Sequence, residues 1–337
     1  MLAERLRELI RARGPVPFRD WMEAALYDPE FGYYARNDLQ RWGREGDYRT
    51  SAERSELFAA TFARYFARLW GELGQPPEWT IVEVGAGDGT FAQRVQRALA
   101  QSYPRVFEAT RYLIREIRNA EEPFDPTDHC LYFSNELLDA FPVHRLSSEG
   151  EFYVTLDSSD QFIWTVGPHS TPRLEEFLRE HSIELAPNQS IEINFAIDDW
   201  LTAVSAKLKH GYVITVDYGA EASDLYDPLL RPGGTLRAFS RHGFVDDVLQ
   251  EPGAYDITSS VNWTQVMRTG ERLGLEVVEF ASQDRFLLSA GLLDELQIQL
   301  QQTPTEAGKA RLTTDAREMI LPRGMASSFQ VLVQKRR

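Results

Sequence analysis

The stretch from Thr80 to Val95, with the sequence TIVEVGAGDGTFAQRV, constrains the fold more than any other part of the chain. An apolar, strand-like run leads into three closely spaced glycines, Gly85, Gly87 and Gly89, and an amphipathic helix pattern follows directly. Glycine has no Cβ, so a ligand can approach its backbone closely, and the first turn of a helix has free N–H groups. The stretch therefore predicts a buried strand, a tight loop and a helix that together form a nucleotide-type site.

The same alternation of apolar strands and amphipathic helices continues along the rest of the chain. Strand patterns occupy residues 79–85, 111–117, 130–136, 190–194, 212–219, 275–281 and 329–335. Helix patterns occupy residues 90–103, 198–211, 262–274 and 290–302, with a short helical turn at 137–142. Such an alternation predicts an α/β fold with a doubly wound, mostly parallel sheet and crossover helices.

Further segments are expected to cover the strand tips of this sheet. We divide the chain into an N-terminal helical lid segment, 1–78, and a core, 79–337. Two insertions interrupt the core, at about 147–190 and at about 220–261. The first contains a hairpin pattern, and the second is rich in Gly, Pro, Asp and Ser and is too long for an ordinary connection. Both are predicted to lie over the strand tips, where such folds bind their ligands.

Composition and charge exclude several classes of function. Lys and Arg total 36 against 51 Asp and Glu, and a net charge of -15 repels nucleic acid and anionic membrane surfaces. Cys130 is the only cysteine, so no intrachain disulfide or cysteine-based zinc cluster can form, and the six histidines are scattered. No run approaches the roughly 20 apolar residues of a membrane span. We expect a cytoplasmic protein with no metal, no nucleic-acid partner and no membrane insertion; the oligomeric state does not follow from the sequence.

The acid before the glycines indicates which nucleotide fits the loop. A dinucleotide site needs G-x-G-x-x-G, but Thr90 stands at the last position. The carboxylate of Glu83 would repel a pyrophosphate, whereas S-adenosylmethionine is a cation without phosphate. Glu116, at the tip of the next strand, is the candidate that accepts hydrogen bonds from the ribose hydroxyls. The alternatives are a purely structural turn and, for Glu116, a surface ion pair with Arg115 or Arg118.

Several stretches together resemble one family, the MidA-like, mitochondrial complex I assembly factor family of class I S-adenosylmethionine-dependent methyltransferases. The matching segments, in family order, are WMEAALYDPEFGYYA (21–35), GDYRTS (46–51), VEVGAGDGTFA (82–92), SNELLDAFPVHRL (134–146), VDYG (216–219), GGTLRAF (233–239), YDIT (255–258) and ILPRGMASSFQVLVQ (320–334). The resemblance implies a Rossmann-like seven-stranded core, S-adenosylmethionine as the methyl donor, and a lid built from the N-terminal segment and the insertions. Eukaryotic relatives assist the assembly of respiratory complex I and are regarded as protein arginine methyltransferases, which implies a protein substrate such as a respiratory-complex subunit.

One stretch departs from the family pattern. Only 17 residues separate Glu116 from Ser134, and Pro123 and Pro126 lie among them. The family normally fits a helix, a strand and another helix there, and even a helix, a strand and turns need more than about 20 residues. We therefore expect part of the sheet edge that walls the adenine to be missing.

Polar residues after the third strand pattern are the candidates for the chemistry. Methyl transfer requires mainly the alignment of a nucleophile with the methyl group. Asn135 can orient the nucleophile, Glu136 can hold a guanidinium with two hydrogen bonds, and Asp139 would share the same face of the turn. A guanidinium keeps its proton up to about pH 12 and has no available lone pair, so an arginine acceptor requires such a carboxylate pair. In the alternative interpretation, Ser134 or Asn135 only caps the turn and Glu136 only stabilises its N-terminal dipole.

One further segment and two single residues each allow two interpretations. Asp47, Thr50 and Ser51 of GDYRTS can close over the donor or can cap a helix. Asp217 ends a buried strand and either faces the site or caps the following turn. His144 is either a proton acceptor or a structural histidine.

We therefore expect a methyltransferase that uses S-adenosylmethionine and acts on a protein side chain, with arginine as the first candidate. The main alternative is a non-catalytic assembly or scaffolding protein that keeps the fold with a degraded donor pocket. A small-molecule methyltransferase would be favoured by a deep cleft that is closed to a polypeptide.

Overall fold

The structure is a computed structural model and describes residues 1–36, 55–116, 124–240, 243–321 and 328–336. In chain order, its helices are α1 (Leu2–Arg13), α2 (Phe18–Tyr27), α3 (Glu56–Glu72), α4 (Thr90–Ser102), α5 (Pro104–Ala109), α6 (Arg173–Glu180), α7 (Ala196–Lys207), α8 (Ala222–Leu225), α9 (Trp263–Arg272), α10 (Gln283–Ser289), α11 (Leu292–Gln302) and α12 (Glu306–Ile320). Its strands are β1 (Val16–Pro17), β2 (Trp79–Val84), β3 (Thr110–Arg115), β4 (His129–Asn135), β5 (His144–Ser147), β6 (Gly150–Leu156), β7 (Phe162–Gly167), β8 (Ser190–Ile193), β9 (His210–Ala220), β10 (Arg237–Ser240), β11 (Gly243–Phe244), β12 (Asp256–Thr258), β13 (Val261–Asn262), β14 (Glu276–Ser282) and β15 (Phe329–Arg336). None of the helices in these ranges has the length and apolar character that a membrane span requires.

Among the described residues, seven strands form a central sheet in the order β14-β15-β9-β4-β2-β3, with β13 paired to β9. Strands β9, β4, β2 and β3 run parallel, whereas β15 is antiparallel to both β9 and β14. Parallel neighbours require crossover connections, and their helices cover both faces of the sheet. The predicted Rossmann-like, doubly wound and mostly parallel α/β sheet is confirmed.

Apolar side chains cover both faces of the central sheet. Trp79 and Ile81 of β2 pack into the cluster formed with α3, α4 and α10, while Val82 packs on the opposite face with α7 and α9. This alternation follows from the two-residue period of a strand. The centre of the first cluster is Phe62, whose ring lies within 5.9 Å of the rings of Phe58, Phe66, Phe91, Phe133 and Phe286.

A second, five-stranded sheet is built mainly from the first predicted insertion. Its order is β1-β6-β5-β8, with β7 paired to β6, and all of its pairs are antiparallel. Strands β6 and β7 are the predicted hairpin, whereas β8 lies here and not in the central sheet. Helices α1 and α2 pack against this second sheet, through residues such as Leu6 and Trp21, while α3 packs on the central sheet. The domain division at residue 78 stays a prediction.

The second predicted insertion contains α8 and a three-stranded antiparallel sheet in the order β11-β10-β12. The loop before β10 is fixed by Thr235, whose N–H and Oγ1 donate to Glu192 Oε2 over 2.6 and 3.1 Å. This contact joins the insertion to the second sheet. A lid function for the insertion stays a prediction.

Strand β3 forms one edge of the central sheet in the described part of the chain. It pairs with β2 from Thr110 to Arg115, and no described strand lies on its other side. The short connection after Glu116 predicted an incomplete edge at this place, and this stays a prediction. Residues 117–123 lie outside the described ranges.

The segment after β4 differs from its predicted conformation. Residues 136–143 do not form a helix but a bend and a single turn. The Phe141 N–H closes this turn by donating to the Leu138 carbonyl over 3.3 Å. Glu136 begins the segment with φ 53°, in the left-handed region that non-glycine residues rarely adopt. This left-handed backbone turns the chain sharply at the sheet edge.

Substituting the central aromatic residue tests the packing of the first face. Phe62→Ala should destabilise the protein by about 3–5 kcal/mol, because it removes five ring contacts and leaves a cavity. The free energy of unfolding from urea titrations measures this loss. Phe107→Ala is the matched control, since its ring is 41% exposed and should cost less than about 1 kcal/mol. Equal losses in the two variants would contradict the packing described here.

Candidate active site

The carboxyl ends of four parallel strands meet at one edge of the central sheet. Val84 of β2 is level with Arg115 of β3 and with Ser134 of β4, and Asn135 of β4 is level with Val216 of β9. The candidate residues at these strand ends therefore come together from segments far apart in the sequence. Such an edge is where doubly wound sheets bind ligands.

The glycine loop between β2 and α4 depends on backbone conformations that favour glycine. Gly85, Gly87 and Gly89 have φ values of 73°, 60° and 75°, all in the left-handed region. A Cβ at Gly85 would lie 3.0 Å from Leu137 Cδ1, and one at Gly89 would lie 3.3 Å from Ile114 Cδ1. Contacts within the protein are therefore enough to explain why Gly85 and Gly89 are glycines, whether or not a ligand binds there. Contact of the three glycines with a cofactor stays a prediction.

Glu116 follows directly after β3 and reaches the glycine loop. Its Oε1 accepts the backbone N–H of Gly87 over 2.7 Å. The pairing of β2 with β3 continues into the loop, because the Gly85 N–H donates to the Arg115 carbonyl over 2.9 Å. The structure therefore places the Glu116 carboxylate at the tip of β3 and against the glycine loop, and its role toward the ribose stays a prediction.

Glu83 is a buried carboxylate at the end of β2, with 4% of its surface exposed. Burial raises the pKa of Glu83 to about 8; the hydrogen bond from the Tyr112 hydroxyl lowers it, and the charges of Glu116 and Asp88 raise it further. The Tyr112 Oη lies 2.7 Å from Glu83 Oε2. A carboxylate whose ionised form is disfavoured in this way would be stabilised by an approaching cation.

Asp217, at the end of β9, holds the turn that follows β4. Its Oδ2 accepts the backbone N–H groups of Leu137, Leu138 and Asp139 over 3.2, 2.9 and 3.3 Å, and its Oδ1 accepts that of Tyr218 over 2.9 Å. The sequence offered Ser134 or Asn135 as the cap of this turn, or Asp217 as the cap of the turn after its own strand. The structure shows that Asp217 caps the turn of the neighbouring strand.

Asn135 and Glu136 stand side by side at the end of β4. The Asn135 side-chain amide donates to Glu136 Oε1 over 3.2 Å, and the Glu136 N–H donates to the Val216 carbonyl over 2.9 Å. The left-handed conformation of Glu136 costs on the order of 1 kcal/mol, and such costs concentrate at functional sites. The catalytic roles of Asn135, Glu136 and Asp139 stay predictions.

Two residues near Asp139 escaped the sequence reasoning as functional candidates. Asp139 is 4% exposed, and its Oδ2 accepts a hydrogen bond from the Tyr218 hydroxyl. The guanidinium of Arg237 lies 4.6 Å from the centre of the Tyr218 ring. Both residues lie inside segments that carried the family resemblance, VDYG and GGTLRAF, and this was the available signal.

Helix α2 and the loop after it contact the turn at residues 136–143. The Tyr27 hydroxyl donates to the Ala140 carbonyl over 2.9 Å, and the rings of Tyr27 and Tyr34 stack at 5.5 Å. The Tyr34 hydroxyl donates to Asp256 Oδ1 over 2.8 Å. The N-terminal layer and the second insertion therefore both reach this edge of the sheet.

Other candidates lie elsewhere or outside the description. Asp47, Thr50 and Ser51 belong to residues 37–54, which are outside the described ranges. His144 Nδ1 lies 2.7 Å from Glu151 Oε1 in the second sheet, a buried contact that agrees with the structural interpretation of this histidine. The absence of a metal site stays a prediction.

The donor set at this edge fits a cationic nucleoside. Glu83 offers a buried carboxyl group whose ionised form a cation would stabilise, Glu116 offers a second carboxylate beside the loop, and Gly87 has no side chain to obstruct a ligand. Together with the parallel sheet, this geometry defines a Rossmann-like transferase that binds a nucleoside methyl donor. The family model described as "Putative S-adenosyl-L-methionine-dependent methyltransferase" matches residues 61–122 and 118–281, and the chain belongs to this family.

Curated relatives and solved structures agree with this assignment. The chain is 25% identical over 374 residues to protein arginine methyltransferase NDUFAF7, mitochondrial, of Mus musculus, covering 95% of this chain and 81% of the relative. It is 26% identical over 332 residues to the NDUFAF7 homolog of Drosophila melanogaster, covering 81% and 70%. A likely methyl transferase from Burkholderia thailandensis, solved with S-adenosyl-homocysteine bound, matches this structure with a TM-score of 0.84 and 27% sequence identity. The match covers 99% of this chain and 92% of that chain.

These findings confirm the predicted family, the methyl donor and the enzymatic activity. The chain is an S-adenosylmethionine-dependent methyltransferase, and the comparisons do not favour the non-catalytic scaffold. The expected cytoplasmic location is wrong, because the mouse, fly and cattle relatives are all named as mitochondrial proteins. A single cysteine excludes an intrachain disulfide but does not distinguish one reducing compartment from another.

Glu83→Gln should separate stability from donor binding. The folded protein keeps a proton on Glu83 up to about pH 8, whereas the unfolded chain loses it near the ordinary value of 4.5. Stability therefore falls as the pH rises through this window, and Gln should raise the melting temperature of the ligand-free protein at pH 8. The same change should weaken S-adenosylmethionine binding about tenfold or more in calorimetric titrations, because the cation loses its partner. Glu8→Gln, an exposed glutamate on α1, is the control; a destabilised variant with normal affinity would contradict this account of Glu83.

Gly87→Val should abolish donor binding beyond what backbone strain explains. A β-branched residue with φ near 60° costs about 1–2 kcal/mol, and it places side-chain atoms where the donor must approach. Gly74→Val is the matched control, because Gly74 has φ 83° in the turn after α3 and nothing within 4 Å of an added Cβ. We expect similar losses of stability in both and loss of S-adenosylmethionine binding only at Gly87; equal affinities would place the donor elsewhere.

Proposed function

We propose that this methyltransferase acts on an arginine side chain of a protein substrate, with a respiratory-complex subunit as the candidate partner. The mouse and fly relatives are named protein arginine methyltransferases, and the match extends over 81% and 70% of their lengths. An activity that belongs to the whole of those proteins is therefore a reasonable proposal for this chain. The candidate site supports it through its charge.

The observation that carries the proposal is the group of carboxylates at the turn after β4. Asp217 is fully buried, and burial raises its pKa well above the usual range, with Asp139 and Glu136 raising it further. Three acids thus lie close enough to affect one another in a site of low solvent access. A guanidinium is the protein side chain best suited to such a group, because it stays cationic and offers several N–H donors.

The residues divide into a donor side and an acceptor side. The donor supplies a methyl group bound to a positively charged sulfur: an acceptor nitrogen bonds to the methyl carbon as the carbon–sulfur bond breaks, the sulfur leaves as a neutral thioether, and the nitrogen loses one N–H proton. On the donor side, Glu83, Glu116 and the glycine loop hold the nucleoside by charge, hydrogen bonds and close backbone approach. On the acceptor side, Glu136 and Asn135 orient the guanidinium and keep its charge on the nitrogens that do not react.

Tyr27 lies between the two sides. Burial raises the pKa of Tyr27 well above its usual range, and Asp256, Asp139 and Glu116 raise it further. The charges of Glu116, on the donor side, and of Asp139, on the acceptor side, thus both act on the hydroxyl of Tyr27. Together with the stacked ring of Tyr34, it supplies aromatic surface against which a planar cation can pack.

Labelled methyl transfer tests the proposal directly. Purified protein and methyl-labelled S-adenosylmethionine are added to extract from cells that lack this protein, and labelled proteins are hydrolysed to amino acids. We expect the label in methylarginine. Glu136→Gln should lower that incorporation about 100-fold and leave S-adenosylmethionine affinity unchanged, because it removes a charge-assisted grip on the acceptor alone.

The matched control is Glu149→Gln, an exposed glutamate in the turn between β5 and β6. It should leave both the turnover and the affinity as in the unmodified protein. Label in methyllysine or only in small molecules would refute arginine as the acceptor. Unchanged turnover of Glu136→Gln would remove Glu136 from the acceptor side.

A further inference from the structure

Three residues from three segments form one contact chain beside the candidate acceptor side. The Tyr218 hydroxyl, at the end of β9, donates to Oδ2 of Asp139 in the turn after β4. The Arg237 guanidinium, at the start of β10, lies 4.6 Å from the centre of the Tyr218 ring. The tyrosine is thus held between a cation on its face and an anion on its hydroxyl.

Arg237 is fixed in place by its own surroundings. Its Nη2 donates to Ser260 Oγ over 3.1 Å, and its backbone is level with Thr258 in the antiparallel pair of β10 and β12. Two residues earlier, Thr235 is bonded to Glu192 and also accepts the Ser260 N–H over 3.1 Å. Moving the guanidinium away from Tyr218 would break its hydrogen bond to Ser260.

One oxygen of Asp139 has no hydrogen-bond partner among the described residues. Oδ1 is buried and accepts no hydrogen bond from the described residues, whereas Oδ2 is used by Tyr218. Leaving a buried carboxylate oxygen unbonded is costly, and an N–H donor from a ligand would remove that cost. The free oxygen thus points to a ligand, independently of the other acids nearby.

The charged groups that face Asp139 set its protonation. Burial raises the pKa of Asp139 to about 6, while the Tyr218 hydroxyl, the Arg237 charge and the N–H groups of Ala140 and Asp139 lower it. From β9, Asp217 also faces this carboxylate, and Tyr27 faces it from α2. Without Tyr218 or Arg237, the balance would therefore move toward a protonated Asp139.

We propose that Tyr218 and Arg237 are positioning residues, which hold Asp139 through Oδ2 and leave Oδ1 to accept an N–H of the cationic acceptor. The inference rests on the proposed arginine methylation and adds to it two residues that set specificity for an N–H-bearing cation. A purely structural brace would require the same packing. It would not require that the ionisation of Asp139 respond to a bound guanidinium.

Carbon-13 NMR of protein labelled at the aspartate carboxyl carbons follows the titration of Asp139, whose resonance is assigned by its absence in Asp139→Asn. Tyr218→Phe and Arg237→Gln should each raise the titration midpoint by about one pH unit, and Arg237→Lys, which keeps the charge, should raise it less. Tyr212→Phe is the matched control, because Tyr212 on the same strand donates to Glu72 over 2.9 Å, far from Asp139. Midpoints that equal that of the control in both Tyr218→Phe and Arg237→Gln would overturn the inference.

A second measurement follows the titration in the unmodified protein, and only the assignment of the Asp139 resonance needs a variant. Ethylguanidinium, added with S-adenosyl-homocysteine present, should lower the Asp139 midpoint, whereas tetramethylammonium, which has no N–H group, should not. Equal effects of the two cations, or none with ethylguanidinium, would overturn the inference even if methylarginine is formed. A selective effect of ethylguanidinium in a protein that makes no methylarginine would support the cation site and refute the proposed reaction.

Discussion

Four backbone N–H groups converge on the carboxylate of Asp217, and the geometry of the site depends on this convergence. Three of them belong to residues 137–139, so the end of β9 fixes the turn that follows β4. The same turn brings the Leu137 side chain to the glycine loop, where a Cβ at Gly85 would lie 3.0 Å from Leu137 Cδ1. Glu136 and Asp139 belong to this turn as well. A buried acid is costly, and satisfying it with four N–H groups makes one conformation of the turn much better than the others.

Burial gives the remaining acids their chemical character. Glu83 and Asp139 are each 4% exposed, and burial raises their pKa values to about 8 and about 6. The covering layers come from α2 and from the second insertion, which bring Tyr27 and Arg237 to the edge of the sheet. A cation that enters such a site gains from carboxylates that water does not screen, which suits both a sulfonium donor and a guanidinium acceptor.

The sequence was most informative where a residue type has few alternatives. Gly85, Gly87 and Gly89 between an apolar strand and a helix indicated the loop, and the structure shows left-handed backbone at all three. It was less informative for residues 137–142, where a helical turn was predicted. There the carboxylate of Asp217, 75 residues or more away in the chain, accepts the N–H groups of residues 137–139 and so fixes the direction of the chain. The location in the cell was predicted wrongly, because a cysteine count reports redox conditions and not an address.

By itself, the sequence determined the α/β class, the positions of the main central strands along the chain, the glycine loop with its acids and the kind of donor that they fit. These features depend on local periodicity, on the backbone freedom of glycine and on charge, all of which can be judged over a few neighbouring residues. Only the tertiary structure decided that Asp217 caps the turn after β4, that Glu116 bonds the Gly87 N–H, and that Arg237 and Tyr218 meet at Asp139. These contacts join residues distant in the chain, and they form because sheet register and burial bring together groups whose hydrogen bonds must be satisfied away from water.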